Sequence, residues 1–419
     1  MGSDSTGAAA ESGAATPPRD GGWRVAVLSR PEEIESLREQ WQALRPPPNA
    51  DPEFFLIVVR SRAEIVRPHV VALFRGDRLE ALLVGRLEDV EYRCTFGYAT
   101  VLRTTVRAIT IVTGGAIRSG PDVPWAPMLR SLRAEIPAGT ADCVWFRSIE
   151  ASSDLPARIR EAVPRIWRSD AGRTQLHWRL DLPATFDELL KRVSRDSRKH
   201  LRRYRRRLDE NFPGRVLFRR TTAEGDVLEL CRRLEVVARA TYLRGLGAGF
   251  VHDALTEAGL VLAARRGRLQ SWELEVDGKV RAFWVAELSN GVLYLEFTGH
   301  DVEFADHHPG TVLLLEALKD MIEAGVSAVD FGLGDADYKR RFDARSWHDC
   351  DVIAFAPGLR SLWLNCFRGA VVAVERFARA VATRLRLQDR VKRVLRASAR
   401  QRVVAGQEPE EGREAAKGD

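Results

Sequence analysis

Apolar and polar residues alternate singly near position 295: Leu293, Leu295 and Phe297 interleave with Tyr294, Glu296 and Thr298. That period of two predicts a strand with two unlike faces. After a polar loop the period becomes helical. Leu314, Leu318, Met321 and Ile322 fall on one side of a segment that Pro309-Gly310-Thr311 opens and Gly325 stops. A short apolar run at 328–331 predicts one more strand, closed by Gly332 and Gly334. Strand, loop, helix and strand together predict a βαβ-like crossover. Upstream, 270–276 and 279–288 read as strands, joined to each other and to 292–298 through Asp277-Gly278 and Asn290-Gly291. Those dipeptides favour the left-handed turns that close two-residue hairpins.

The rest of the chain is read the same way. Ser29 to Glu32 reads as a capping box, and Ile34, Leu37, Trp41 and Leu44 form the inner stripe of a single following helix that Pro46 to Pro48 end. Segments 69–74 and 79–86 are predicted strands around an Arg-Gly-Asp turn, and 143–149 is a third. The Thr113-Gly114-Gly115 loop leads into no helix and is not read as a phosphate loop. A strand at 175–182 precedes a capping box, Thr185 to Glu188, and a basic helix that runs to about 211. A strand over 219–222 and helices over 227–239 and 252–262 come before the meander. At the C-terminus Trp363, Phe367, Ala370, Val374, Phe377, Val381 and Leu385 make one helical stripe. Its proximal half is expected to pack on the body.

Chemistry enters at the Pro309 helix start. The first amides of a helix lack internal partners and carry the positive end of its dipole, which suits a phosphate. Pro309 has no N–H, whereas Gly310, Thr311 and Val312 have, and the Thr311 hydroxyl adds a donor. Ordinary helix-start punctuation is the alternative. Charge sharpens the picture further. Residues 191–207 and 376–402 each net +9, in a chain of net +7, so the remainder nets −11. Two basic segments thus sit on an acidic body.

The 419 residues suit two domains with tails. Five cysteines without C-x-x-C spacing are read as reduced and mostly buried. No Gly-x-x-x-x-Gly-Lys-Ser/Thr loop occurs, which argues against ATP hydrolysis, and no metal site is expected. The N-terminal 22 residues have no apolar core of a signal peptide and are expected to be a disordered leader.

Pro309-Gly310, Gly325, Asp330-Phe331-Gly332, Gly334, Tyr338-Lys339 and Phe342 stand in an order that resembles the C-terminal signature of the CelD/BcsL-like acyltransferases, a branch of the GNAT superfamily. The resemblance implies an α+β fold of tandem GNAT-like domains, with mixed central sheets flanked by helices and a long C-terminal helix. The expected divisions are 23–174, a degenerate GNAT-like half; 175–358, the catalytic half; 359–402, a basic amphipathic helix; and 403–419, a disordered tail. It implies an acyl-CoA co-substrate, acetyl-CoA first, whose pantetheine lies between two parting parallel strands. Pro309, Gly310, Thr311, Val312, Gly332, Gly334 and Lys339 would hold it. Asp301 or Glu296, with His300 as a third candidate, would act as base, and Tyr338 as the acid beside the sulfur. Each has a plainer role open to it: Glu296 as a solvated strand residue, Asp301 as a turn former, Tyr338-Lys339 as a structural cap. The expected acceptor is a saccharide or another small molecule. A Fem-type transferase that takes its donor from tRNA, or a non-catalytic module binding anionic surfaces, are the other readings, although nucleic acid is not the expected partner. The location expected is cytoplasmic, with peripheral membrane contact through the distal C-terminal helix.

Overall fold

The computed structural model describes residues 22–384, apart from 98, 137–138, 171–173, 242–243 and 245–248. The Gly245 to Gly249 loop, the N-terminal leader, the C-terminal tail and the basic segment beyond 384 therefore lie wholly or mostly outside the described residues.

Fourteen strands among these residues form one mixed sheet. They are β1 (Trp23–Leu28), β2 (Ile65–Pro68), β3 (Val70–Arg75), β4 (Arg78–Phe96), β5 (Ala99–Arg118), β6 (Cys143–Glu150), β7 (Arg168–Ser169), β8 (Gln175–Asp181), β9 (Val216–Thr221), β10 (Leu269–Val276), β11 (Lys279–Ser289), β12 (Val292–His300), β13 (Ala328–Leu333) and β14 (Arg345–Phe355). Across the sheet the order is β1-β3-β4-β5-β6-β14-β8-β13-β12-β11-β10-β9, with β2 beside β4 and β7 beside β14. Helices flank it, and the fold is the expected α+β architecture.

The order contains the same unit twice. In the first, β3, β4 and β5 run antiparallel, the helix Ala126–Glu135 crosses over, and β6 returns parallel to β5. In the second, β10, β11 and β12 run antiparallel, the helix Pro309–Glu323 crosses, and β13 returns parallel to β12. β14 joins the two units out of sequence: it lies between β6 and β8 and pairs with both.

Local chemistry explains the second meander. Asp277 and Gly278 have φ of +55° and +71°, and Asn290 and Gly291 +52° and +78°, as hairpin turns of that hand require. Gly325, at +73°, ends the Pro309–Glu323 helix. That helix buries Val312, Leu313, Leu314, Leu318 and Met321 against Trp272, Leu274 and Trp284 of the sheet, which fixes where its first turn points.

Several expectations need correction. The helix expected after Ser29 is two, Pro31–Ser36 and Arg38–Ala43, because the backbone breaks at Leu37. Its capping carboxylate is Glu33, which accepts from Ser29 N and Arg30 N, and not Glu32. The basic segment is likewise two helices, Phe186–Lys191 and Arg195–Asn211, the second capped by the Ser194 hydroxyl. Thr113-Gly114-Gly115 belongs to β5. There the pairing jumps from Leu83↔Ala116 to Gly85↔Ile111, so residues 112–115 leave the ladder. The C-terminal helix, Leu359–Arg384, turns Ser361, Leu364 and Arg368 inward, with the Arg368 guanidinium 5.7 Å from the Tyr92 ring centre. The proximal part packs on the body as expected, but through this other face, so that Trp363, Val374 and Phe377 of the predicted stripe face solvent. No described helix is long and apolar enough to cross a membrane.

Candidate functional site

β12 and β13 pair only at Val292↔Ala328, Leu293↔Val329 and Tyr294↔Asp330. Beyond that point they part. β12 stays with β11 as far as His300, while β13 stays with β8 through Gly332 and Leu333. Each strand carries an irregularity at the fork. The β11–β12 register slips between Val285 and Ala286, which leaves Glu296 as the extra residue of a bulge, and the β13–β8 register slips at Phe331. A wedge therefore opens at the centre of the second unit, flanked by the first turn of Pro309–Glu323.

That first turn offers less than the sequence suggested. His308, the N-cap, sits in the left-handed region at φ +52°, and its carbonyl accepts from both Thr311 N and Val312 N at 3.1 Å. Val312 N–H is thus internal to the helix and Thr311 N–H is occupied. Gly310 N–H and the Thr311 hydroxyl remain as the donors of this turn, and Pro309 is buried. A Cβ on Gly310 would lie 3.7 Å from His300 Nδ1, so His300 stands over the helix start and not at the fork.

Two arginines bear on the charge here: Arg207, from the basic segment 191–207, and Arg341, which sequence reasoning missed. Burial first, and then the charges of Arg341 and Arg207, lower the pKa of His308. Arg341 Nη1 is buried without a hydrogen-bond partner. The helix Arg195–Asn211 is close by as well, since the Tyr204 ring centre is 3.9 Å from that of His308. The signal for Arg341 in the sequence was only its place after Tyr338-Lys339-Arg340.

Tyr338 reaches the fork. Its ring packs edge-on against Phe331 (centroids 5.7 Å apart) and Trp284 (6.4 Å), and burial pushes its phenol up to about 12. It is a neutral O–H at physiological pH. Glu296 is exposed on the β12 bulge.

Lys339 has a different role from the one expected. It is 5% exposed, and its ammonium donates to the carbonyls of Phe331 (2.8 Å), Gly332 (3.3 Å), Leu333 (2.7 Å) and Gly334 (3.2 Å). Burial, partly offset by Asp330 and Asp335, lowers its pKa to about 8. The Asp-Phe-Gly-Leu-Gly run curls around this cation, and the curl needs φ of +64° at Gly332 and +88° at Gly334, where a side chain is strained. Gly332 is occupied twice, because its N–H also donates to Asp330 Oδ1 at 2.8 Å. Neither Lys339 nor Gly332 is free to hold a phosphate. Lys339→Met should strand four carbonyls and cost at least about 2 kcal/mol, although relief of the buried charge offsets part of this. Urea unfolding measures it, and a variant as stable as the parent would show that the clamp does not matter.

Asp301 also proves structural. It caps the 3₁₀ turn Val302–His307 by accepting from Glu303 N at 3.0 Å, and it pairs with Arg281 Nη1 at 2.5 Å. Both of its oxygens are engaged, while Glu296 lies on the β12 bulge beside the fork.

A second missed group underlies β13. His177 on β8 bonds through Nε2 to Asp330 Oδ1 (2.7 Å) and through Nδ1 to Asp349 Oδ2 of β14 (2.8 Å), with its ring stacked on Trp347 at 4.4 Å. Burial alone would lower the pKa of His177, but the two carboxylates outweigh it and hold the ring charged up to about 9. His177 and Asp330 are 153 positions apart, beyond any local pattern.

Comparison with known proteins was consistent with this geometry. Residues 195–340 match a family described as "Acetyltransferase (GNAT) domain". A search of the curated proteins gives no match. Among solved structures, a conserved protein of unknown function from Bacteroides thetaiotaomicron is similar at 11% identity and a TM-score of 0.50, over 79% of this chain and all of that one. A tandem GNAT protein from the clavulanic acid biosynthesis pathway is similar at 14% identity and a TM-score of 0.46, over 80% of this chain and 99% of that one. FemX is similar at 11% identity and a TM-score of 0.46, over 72% and 95%. The parted parallel strands and the crossover helix both lie inside the segment that matches this GNAT acetyltransferase family.

Proposed function

We propose that the chain is an acyl-CoA-dependent acyltransferase of the CelD/BcsL-like kind, moving an acetyl or other acyl group to an amine or hydroxyl of an envelope polysaccharide, a sugar or a similar small acceptor. The observation that carries this reading is the parting of β12 from β13 after Tyr294 and Asp330, beside a helix start that keeps the Gly310 N–H and the Thr311 hydroxyl available. In this reading the wedge takes the pantetheine arm of the co-substrate, and the helix start, with Arg341 and Arg207, takes its phosphates. Glu296 receives the proton of the attacking amine or hydroxyl, directly or through water. The Tyr338 O–H hydrogen-bonds the departing thiolate.

Titration calorimetry with acetyl-CoA and longer acyl-CoAs tests the proposal. Binding of either supports it, and binding of bulk tRNA without binding of acyl-CoA would favour a tRNA-borne donor. That second reading rests on Arg198, Lys199, Arg202 and Arg203 on the Arg195–Asn211 helix, which is in contact with the helix start through Tyr204. An aspartate at position 310 has room, so Gly310→Asp should leave the fold intact while setting a carboxylate against the phosphates. Affinity for acetyl-CoA should drop about tenfold, or 1.4 kcal/mol. Unchanged affinity would take the helix start out of the site.

A further inference from the structure

The first unit has a fork of its own. β5 and β6 pair in parallel from Ala108↔Cys143 to Ile111↔Phe146 and go no further, and it is here that residues 112–115 swing out of the β4 ladder. β4 passes close to β5 at this point, where only a glycine fits. A Cβ on Gly85 would lie 2.8 Å from Ile111 Cδ1 and 2.9 Å from the His69 carbonyl. At the fork lies a cavity of about 40 Å³, lined on one side by Thr110 and Thr113 of β5 and on others by Arg62, Arg86 and Arg147. Leu255, from the Ala254–Arg265 helix of the second unit, also lines it.

Three polar atoms of its lining are buried and have no hydrogen-bond partner: Arg62 Nε, Thr110 Oγ1 and Thr113 Oγ1. Thr110 is only 4% exposed. Buried donors are rarely left unmatched, since each costs about 1–3 kcal/mol. Of the three cations, Arg86 is answered by Glu88 at 2.6 Å, and Arg147 Nε lies 4.0 Å from Asp351. Burial, followed by the like charge of Arg86, pushes the Arg62 guanidinium below its usual pKa, while Glu64, Glu88 and Asp253 act on it in the opposite sense. The unmatched polar groups of the wall are therefore all able to donate, beside the Asn49 amide and an apolar lining of Phe54, Phe55, Val58 and Val112. The threonine hydroxyls can also accept from a water, but an oxyanion takes all three unmatched groups as donors at once, the guanidinium among them with charge assistance.

We infer that the fork between β5 and β6 is a binding pocket for a small oxyanion, the carboxylate or phosphate of a ligand, held by Arg62, Thr110 and Thr113 at the junction of the two units. The swung-out Thr113-Gly114-Gly115 segment contributes through a threonine hydroxyl and not through the amides of a helix start. Because Leu255 closes the cavity from the second unit, a ligand here bears on both units at once. The pocket is separate from the β12–β13 fork, and its test needs no acyl donor.

The test is thermal unfolding of the full chain in sodium acetate, in sodium phosphate, and in sodium chloride at matched ionic strength, for the parent and for the Thr110→Val/Thr113→Val and Arg62→Met variants. One of the two oxyanions should raise Tm saturably, by about 3 °C at a hundredfold excess over Kd. Acetate acting alone identifies a carboxylate ligand and phosphate acting alone a phosphate. Both variants should lose the rise. Without added oxyanion the double valine variant should be at least as stable as the parent, because it removes hydroxyls that have no partner. A rise that chloride reproduces would mean that the cavity holds only water, and one that persists in both variants would place the anion elsewhere; either result overturns the inference.

Discussion

Replacing His177 by leucine is expected to destabilise the protein by about 3–5 kcal/mol, the usual cost of removing one partner from a buried ion pair. The carboxylates of Asp330 and Asp349 would be left 8% and 3% exposed with no cation between them, and Asp349 Oδ1 already lacks a partner. The effect depends on pH with a definite sign. Folding raises the pKa of His177 from an ordinary 6.5 to about 9. Its stabilising contribution is thus complete below pH 6.5 and is lost as pH climbs through 9, a total of about 3 kcal/mol. Urea unfolding at pH 6 and pH 9.5 checks this. The parent should lose stability across that interval and His177→Leu should lose distinctly less. Parallel pH dependences would mean that the ring is not the cation joining these strands.

On activity, the largest effect is expected at Tyr338. Tyr338→Phe keeps the ring against Phe331 and Trp284 and deletes only the O–H, so the fork should keep its shape. If the phenol stabilises the departing thiolate, kcat should fall by about 10²- to 10⁴-fold with the affinity for acyl-CoA nearly unchanged. With its pKa near 12, Tyr338 should also impose no alkaline decline on the parent's rate below about pH 11. Stopped-flow thiol release against pH reads both quantities, and a variant that turns over at the parental rate would remove Tyr338 from the chemistry.

What could be read from the sequence was whatever is encoded within a few residues. Asp277-Gly278 and Asn290-Gly291 fixed their hairpins because the turn geometry needs just those residue types. The Pro309 helix start and the Gly325 stop were legible for the same reason. The long β4–β5 hairpin was not: Glu88, Asp89, Glu91, Arg93, Arg103 and Arg107 interrupt its alternation, and these charges are answered by partners on the same or the facing strand, Glu88 by Arg86 within β4 and Arg107 by Asp89 across to β4 at 2.9 Å. At the candidate site Tyr338 was recognisable within a motif. The true partner of Lys339 was not, because a cation held by carbonyls and one held by a phosphate look alike in sequence. Asp301 could be read as base or cap, and Arg281, 20 positions away, decides for the cap. His177, Asp330 and Asp349 come together only through the order of the strands.

That order has a consequence for how the chain is made. β14 reaches the sheet between β6 and β8, pairing Ile353 with Trp145 and Trp347 with His177. As the chain leaves the ribosome, β6 emerges about 200 residues before the strand that covers it. Until then the first unit presents a bare edge rich in apolar residues, Cys143 to Phe146, able to recruit the edge of another chain. Contacts so distant in sequence are slow to form, so the last tenth of the described chain decides whether the nascent protein closes on itself or on a neighbour.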